Sequence, residues 1–225
     1  MKRAPVYLLY LLFVLFPGTA TANDDFQYWS QYNFKVVDTE HVDFSLFTEG
    51  RFINNAEDNG LHLVQFKLSY HFFDHLDLGT NYTYLNVRTT NALSGDSEFK
   101  YQHRAELEIN PKWNLGDVAT FYNRNRVEFR WIEDKGSYNT RTRHRFRLTF
   151  PFKQNKWLKS VFVDSEFFYN WAENDYDENR TVPVGLNFKL TDNLSLQAYY
   201  MVQSRRGSQD WRSNEILGTL LSYKF

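Results

Sequence analysis

Cysteine is absent from this 225-residue chain, which excludes a disulfide framework, thiolate catalysis and cysteine-ligated metal. Net charge is sparing too. The 26 lysines and arginines against 27 acids give −1 with histidine neutral, too balanced for a generally basic nucleic-acid binder. Long apolar runs are missing beyond residue 22, where no stretch approaches the roughly 18 apolar residues that mark a membrane-crossing helix. A helical membrane protein is therefore excluded. Proline numbers five, and Pro111 and Pro151 fall in turn-rich stretches between patterned segments.

Aromatic residues, by contrast, are abundant. Phe, Tyr and Trp make up 19% of the chain, yet its mean hydropathy is negative. That combination suits a barrel with an apolar outer face and a polar lumen. The first residues read as an export leader. Met1-Lys2-Arg3 supplies positive charge, Val6 to Phe16 is an apolar run of 11 residues, and Pro17-Gly18 ends it. Ala20-Thr21-Ala22 then fits a small-residue cleavage site before Asn23. Residues 1–22 are expected to be a signal peptide and 23–225 a single folded domain.

The mature part alternates apolar and polar residues with period 2, the mark of strands with one wet and one apolar face. Eleven segments show it: 26–36, 42–53, 61–72, 76–87, 98–110, 118–132, 139–150, 161–171, 180–190, 194–205 and 213–225. In 98–110, Phe99, Tyr101, Ala105, Leu107 and Ile109 alternate with Lys100, Gln102, Arg104, Glu106 and Glu108. In 180–190 the apolar set is Val182, Val184, Leu186, Phe188 and Leu190. The last segment carries Leu217, Thr219, Leu221, Tyr223 and Phe225, and a terminal strand closing on an aromatic residue resembles those of bacterial outer-membrane barrels. Segments of about 10–13 residues match tilted membrane strands better than the 5–6 usual in soluble sheets. The expected fold is all-β: a transmembrane antiparallel up-and-down β-barrel of ten to twelve strands.

Connections fall into two sets. Those near Asp74, Pro111–Asp117, Pro151–Lys159 and Asp192-Asn193 carry turn and aromatic residues. Those at Asn54–Asn59, Arg88–Ser97, Glu133–Tyr138, Ala172–Asn179 and Arg206–Arg212 are polar, and are expected to be the longer external loops. This assignment leaves segment 26–36 running inward from the outer end. Either it lies partly in the lumen, or it pairs unconventionally with the last strand, or a strand is missed or split.

The inner parity of the fifth to seventh segments is the chemically loudest part of the chain. Arg104, Arg124, Arg126, Arg130, Arg141, Arg143, Arg145 and Arg147 share it with Glu106, Glu108 and Glu128, and Asp164 and Glu166 join them from the eighth. Folding 124–130 onto 141–147 about Lys135 is expected to place Arg130 near Arg141, Glu128 near Arg143, Arg126 near Arg145 and Arg124 near Arg147. Two readings fit. The charges fill a narrow barrel as a salt-bridge network, because buried charge must be paired. Alternatively, an arginine excess lines a pore and draws anions, since directly opposed like charges are costly unless water or an anion intervenes.

Catalytic signals are thin, and no enzyme is expected. A barrel hydrolase needs a serine beside an oriented histidine, and none of His41, His62, His71, His75, His103 and His144 sits in a compact His-x-Ser pattern. His103 and His144 fall on the outward parity. His71 and His75 have a helical metal spacing outside any helix. Glu106 and Glu108, two apart among arginines, suit salt bridges better than acid–base work. No cofactor or metal site is assigned, Asp24-Asp25 and Asp175–Glu178 being only weakly acidic loop clusters where calcium or lipopolysaccharide-linked divalent ions could bind.

Gln102-His103-Arg104 through Pro111-Lys112-Trp113, Asn123-Arg124-Asn125-Arg126 with Glu128-Phe129-Arg130, and Arg143-His144-Arg145 with Arg147-Leu148 resemble the domain of unknown function 2490 family. Asp25-Phe26-Gln27-Tyr28-Trp29 and Leu221-Ser222-Tyr223-Lys224-Phe225 fit the same pattern. The resemblance implies a bacterial outer-membrane-type barrel with no established activity and no catalytic residues. A looser similarity, in length, lack of cysteine and inward arginine tracks, is to small monomeric porins for acidic oligosaccharides. The expected role is structural or that of a narrow passive channel favouring anions, in contact with outer-membrane lipid and lipopolysaccharide, with anionic small solutes as partners and no nucleic acid. The alternatives are a membrane-embedded enzyme acting on lipid or lipopolysaccharide, and a surface protein binding through external loops. The sequence leaves the oligomeric state open.

Overall fold

Period-2 patterning over lengths of a dozen residues, with turn residues between, dictates long strands and leaves nothing for a helix. The computed structural model, described for residues 25–90, 94–136, 138–207 and 210–225, shows that outcome. It comprises β1 (Asp25–Asp38), β2 (Val42–Ile53), β3 (Asp58–Phe73), β4 (Leu76–Thr90), β5 (Ser97–Leu115), β6 (Ala119–Ile132), β7 (Asn139–Pro151), β8 (Leu158–Asn170), β9 (Asp175–Lys189), β10 (Leu194–Arg206) and β11 (Trp211–Lys224). The expected leader lies outside the described residues.

The eleven strands close into one barrel in which each sequential pair is antiparallel, and β1 meets β11 to complete the ring. That last seam is parallel, from Asp25 opposite Asn214 to Lys35 opposite Lys224. With an odd strand number the first and last strands must run the same way, so closure requires a parallel pair. Of the three possibilities left by segment 26–36, unconventional pairing with the last strand is the one realised. At the rim the seam is tied by Lys224 with Asp38, which also holds Lys35 of its own strand at 2.8 Å, and Lys35 reaches Asp43 of β2 at 3.0 Å.

Two details depart from the sequence reading. The segments expected as long loops are partly strand: Asp58–Asn59, Arg88–Thr90 and Asp175–Asn179 continue the ladders. The connections on the expected outer rim are therefore shorter than expected, spanning four to six residues, against two to six on the other rim. Second, Val182 does not share the outward side of Val184. Pro183 has no N–H for a ladder and is skipped by both neighbours: Gly185 and Val182 face Phe162 and Asp164, while Val184 and Thr181 face Tyr200 and Val202. The extra residue reverses the alternation, and Val182 turns inward to 5% exposure.

The faces sort as alternation demands. Phe66, Leu107 and Ile109 stand about half exposed on the outer surface, with rings such as Trp113, Phe121, Trp131 and Tyr138 toward the rims. Inside, one sector is packed with apolar side chains: Trp29, Phe162, Val182, Tyr199, Met201 and Ile216 form one cluster. Two glycines make room for it, since a Cβ at Gly185 would collide with the ring of Phe162, and one at Gly218 with that of Tyr199.

Candidate functional site

The remaining interior is polar. It holds a cavity of about 490 Å³ whose lining includes eleven arginine and lysine side chains against five carboxylates. The charged side chains come chiefly from β5 to β9. The wall formed by β10, β11 and β1 presents Gln197, Tyr199, Met201, Leu220, Trp29 and Gln31, with Arg205 of β10 as its charged lining residue. The lumen thus has a densely charged side and one where charge is sparser.

Adjacent strands bring like charges face to face. Arg104 is opposite Arg130, Arg124 opposite Arg145, and Arg126 opposite Arg143, while Glu106 is opposite Glu128. This register differs by two residues from the expected one. A slip of two keeps every side chain on its face, so parity alone cannot fix it. The β6–β7 connection does, with Lys135 N–H donating to the Ile132 carbonyl and Asp134 in a left-handed conformation. In consequence Glu128 faces Arg141, and Arg130 faces Asn139.

Glu128 is the hub. Fully buried, it accepts from Arg141 Nε at 3.0 Å and from Arg143 Nη1 at 2.7 Å. Arg104 and Arg126 approach it at 4.0 and 3.8 Å. Arg126 also pairs with Glu106 at 2.8 Å and forks onto Glu108. Glu106 is held in turn by Gln65, Thr83 and Asn81, and Glu108 by Asn110 at 3.0 Å. Glu166 accepts from Arg124 at 2.6 Å and from Arg143 at 3.2 and 3.0 Å. Asp164 accepts from Arg147 Nε at 2.7 Å. A buried charge is tolerated only when paired and hydrogen-bonded, and these contacts supply that for most of the wall.

Every arginine, glutamate and aspartate singled out in the sequence lies on this inner face. Arg104, Glu106, Arg124, Arg126, Arg141, Arg143, Arg145, Arg147, Asp164 and Glu166 line the cavity, whereas Glu108, Glu128 and Arg130 are buried in the wall behind it. Among the described residues Arg130 finds Asn139 at 3.0 Å and no carboxylate. His103 packs outside among Tyr82, Tyr84 and Tyr101, and His144 bonds to Asn125 at 2.8 Å. His71 reaches Asp77 at 2.7 Å and Asp43 at 3.2 Å near the rim.

The sequence reading overlooked several lumen residues. Arg51 and Arg180 flank Trp29, with guanidinium carbons 3.6 and 5.0 Å from the ring centroid. Phe168 is approached by Arg141, Arg143 and Arg180 at 4.6–4.7 Å, and Phe162 by Arg147 at 4.0 Å. Such stacking stabilises a desolvated guanidinium. Glu178 pairs with Arg180 at 2.6 Å and with Arg141 at 3.6 Å. The signal was available: these residues occupy inner positions of their own strands, but aromatics there resemble outward ones.

The fold and its lumen define a closed β-barrel with an arginine-rich polar interior. The family model described as Protein of unknown function (DUF2490) matches residues 26–214, and the chain belongs to that family. No curated protein matches it, and neither does any solved structure.

Proposed function

We propose that this chain is a bacterial outer-membrane β-barrel that acts as a narrow passive channel favouring small anions, and not as an enzyme. The observation that carries the reading is the cavity lining, with eleven cationic side chains against five carboxylates. A low-dielectric wall with an excess of one charge sign concentrates counter-ions in the lumen. Membrane placement is supported by the apolar outer face, where Phe66, Leu107 and Ile109 meet the surroundings without polar partners, and by flanking aromatic rings of the kind found at membrane interfaces. The leader-like pattern of residues 1–22 supports export to the outer membrane, in contact with its lipid and lipopolysaccharide. With connections of only four to six residues on the expected outer rim, the external loops offer little support to the binding-protein alternative. The paired arginines around Glu128 and Glu166 serve the wall itself, so the anion preference rests on the cations left over.

Planar-bilayer recording under a potassium chloride gradient tests this. The expected result is discrete conductance with a reversal potential on the chloride side. A folded barrel that stays silent, or one that prefers potassium, overturns the channel.

A further inference from the structure

The carboxylates of the charged wall are unevenly shared. Asp164 is occupied by Arg147, and Glu166 by Arg124 and Arg143. Arg145 stands directly opposite Glu166 on β8 and opposite Arg124 on β6. Among the described residues its side chain nevertheless makes no ion pair or hydrogen bond, and its Nε is buried without a partner. The Nε of Arg124 is likewise unsatisfied. On the facing wall, four strands away around the ring, Lys67 of β3 has no carboxylate partner either, and its ammonium lies 5.7 Å from the centre of the Phe47 ring. Lys67 lines the same cavity as Arg124, Arg126 and Arg145, so it looks onto the same lumen.

Cations withdrawn from bulk water without a counter-charge are costly. Arg145 and Lys67 bear that cost while lining one cavity. We propose that Arg145, Arg124 and Lys67 form a seat for a tetrahedral oxyanion, the phosphate or sulfate group of a small solute. This rests on the reading that the lumen admits anions and adds which anions it holds. One guanidinium fork can satisfy a planar carboxylate, whereas donors arriving from two walls match oxygens that point in several directions. The lysine contributes the compact charge typical of phosphate sites. The volume, about 490 Å³, exceeds a bare ion's need, since a water occupies roughly 30 Å³ of liquid, so an ester-linked group fits as well as the free ion.

Calorimetric titration of the detergent-solubilised barrel at constant ionic strength tests the seat, with inorganic phosphate, inorganic sulfate, glycerol 3-phosphate and acetate as probes. The expected result is that phosphate or sulfate binds at least tenfold more tightly than acetate. Arg145→Gln and Lys67→Gln should each weaken that binding tenfold or more, while Lys156→Gln in a rim connection leaves it unchanged. Neither lumen variant removes an ion pair, so both are expected to keep the compact, heat-modifiable band of a folded barrel on gels. Glycerol 3-phosphate binding above inorganic phosphate marks an ester ligand, and the reverse order marks the free ion. Equal binding of acetate and phosphate, or unchanged phosphate affinity in both lumen variants, overturns the seat. Chloride conductance without phosphate binding sinks the seat alone, and phosphate binding to a silent barrel sinks the channel alone.

Discussion

Tyr199 lies over Gly218, its cross-strand partner on β11, so closely that any Cβ there would collide with the ring. The tyrosine hydroxyl reaches on to Gln31 of β1 at 3.2 Å, bridging the parallel seam from inside. The glycine thus makes room for an aromatic brace between β10, β11 and β1.

Replacing Gly218 with valine should therefore destabilise the barrel by about 1–3 kcal/mol, the usual cost of overpacking. Urea unfolding in phospholipid vesicles, followed by tryptophan fluorescence, measures it. Combining Gly218→Ala with Tyr199→Ala should cost less than the sum of the two single changes, because the collision disappears with the ring.

Glu128 offers a sharper electrostatic test. Glu128→Gln removes the carboxylate shared by Arg141 and Arg143 and leaves buried guanidinium charge in excess. Breaking a buried pair from one side costs about 3–5 kcal/mol, so the same unfolding assay should show a loss far larger than that for Arg145→Gln. Equal losses would contradict the hub role of Glu128.

The parallel seam can be locked. Ser30 and Thr219 are register partners on the outer face, and paired strands lie about 4.8 Å apart, within disulfide reach. With no native cysteine to compete, the double variant Ser30→Cys/Thr219→Cys should cross-link under mild oxidation. Ser30→Cys/Leu217→Cys, displaced by two residues, should not. Efficient cross-linking of the displaced pair alone would refute this register.

Membrane embedding predicts a penalty that a water-exposed outer face would not show. Leu107, 56% exposed, sits mid-strand on the apolar surface. Leu107→Arg should cost about 2–4 kcal/mol if it meets the bilayer midplane. The loss should appear as a lower folding yield into vesicles, with a smaller effect in detergent. An unchanged yield would count against a lipid-facing position.

A strand count within ten to twelve and the face of most side chains were legible because alternation of period 2 is a local property, whereas the strand limits at Asp58, Thr90, Leu115 and Asp175 lay several residues beyond the patterned segments. What was not legible is what alternation leaves undetermined. The β6–β7 register could slide by two without moving Arg126 or Arg143 off the inner face, and only the turn at Asp134 fixes it. Val182 was misassigned because Pro183 adds one residue between two apolar neighbours, and a hydrophobic pattern does not show the skipped position. The freedom of Arg145 was hidden for a third reason. Its unpaired state depends on Arg124 and Arg143 having occupied Glu166 first, a competition decided by side-chain reach across three strands.

The division of the lumen into an arginine wall and a less charged wall of amides and rings gives it a sideways polarity at right angles to its axis. In the proposed channel, a solute with an acidic head and an uncharged body would travel broadside, its head drawn toward β5–β9 and its body toward the side of Gln197 and Leu220. Such a passage would sort molecules by how charge is distributed along them as well as by how much they carry.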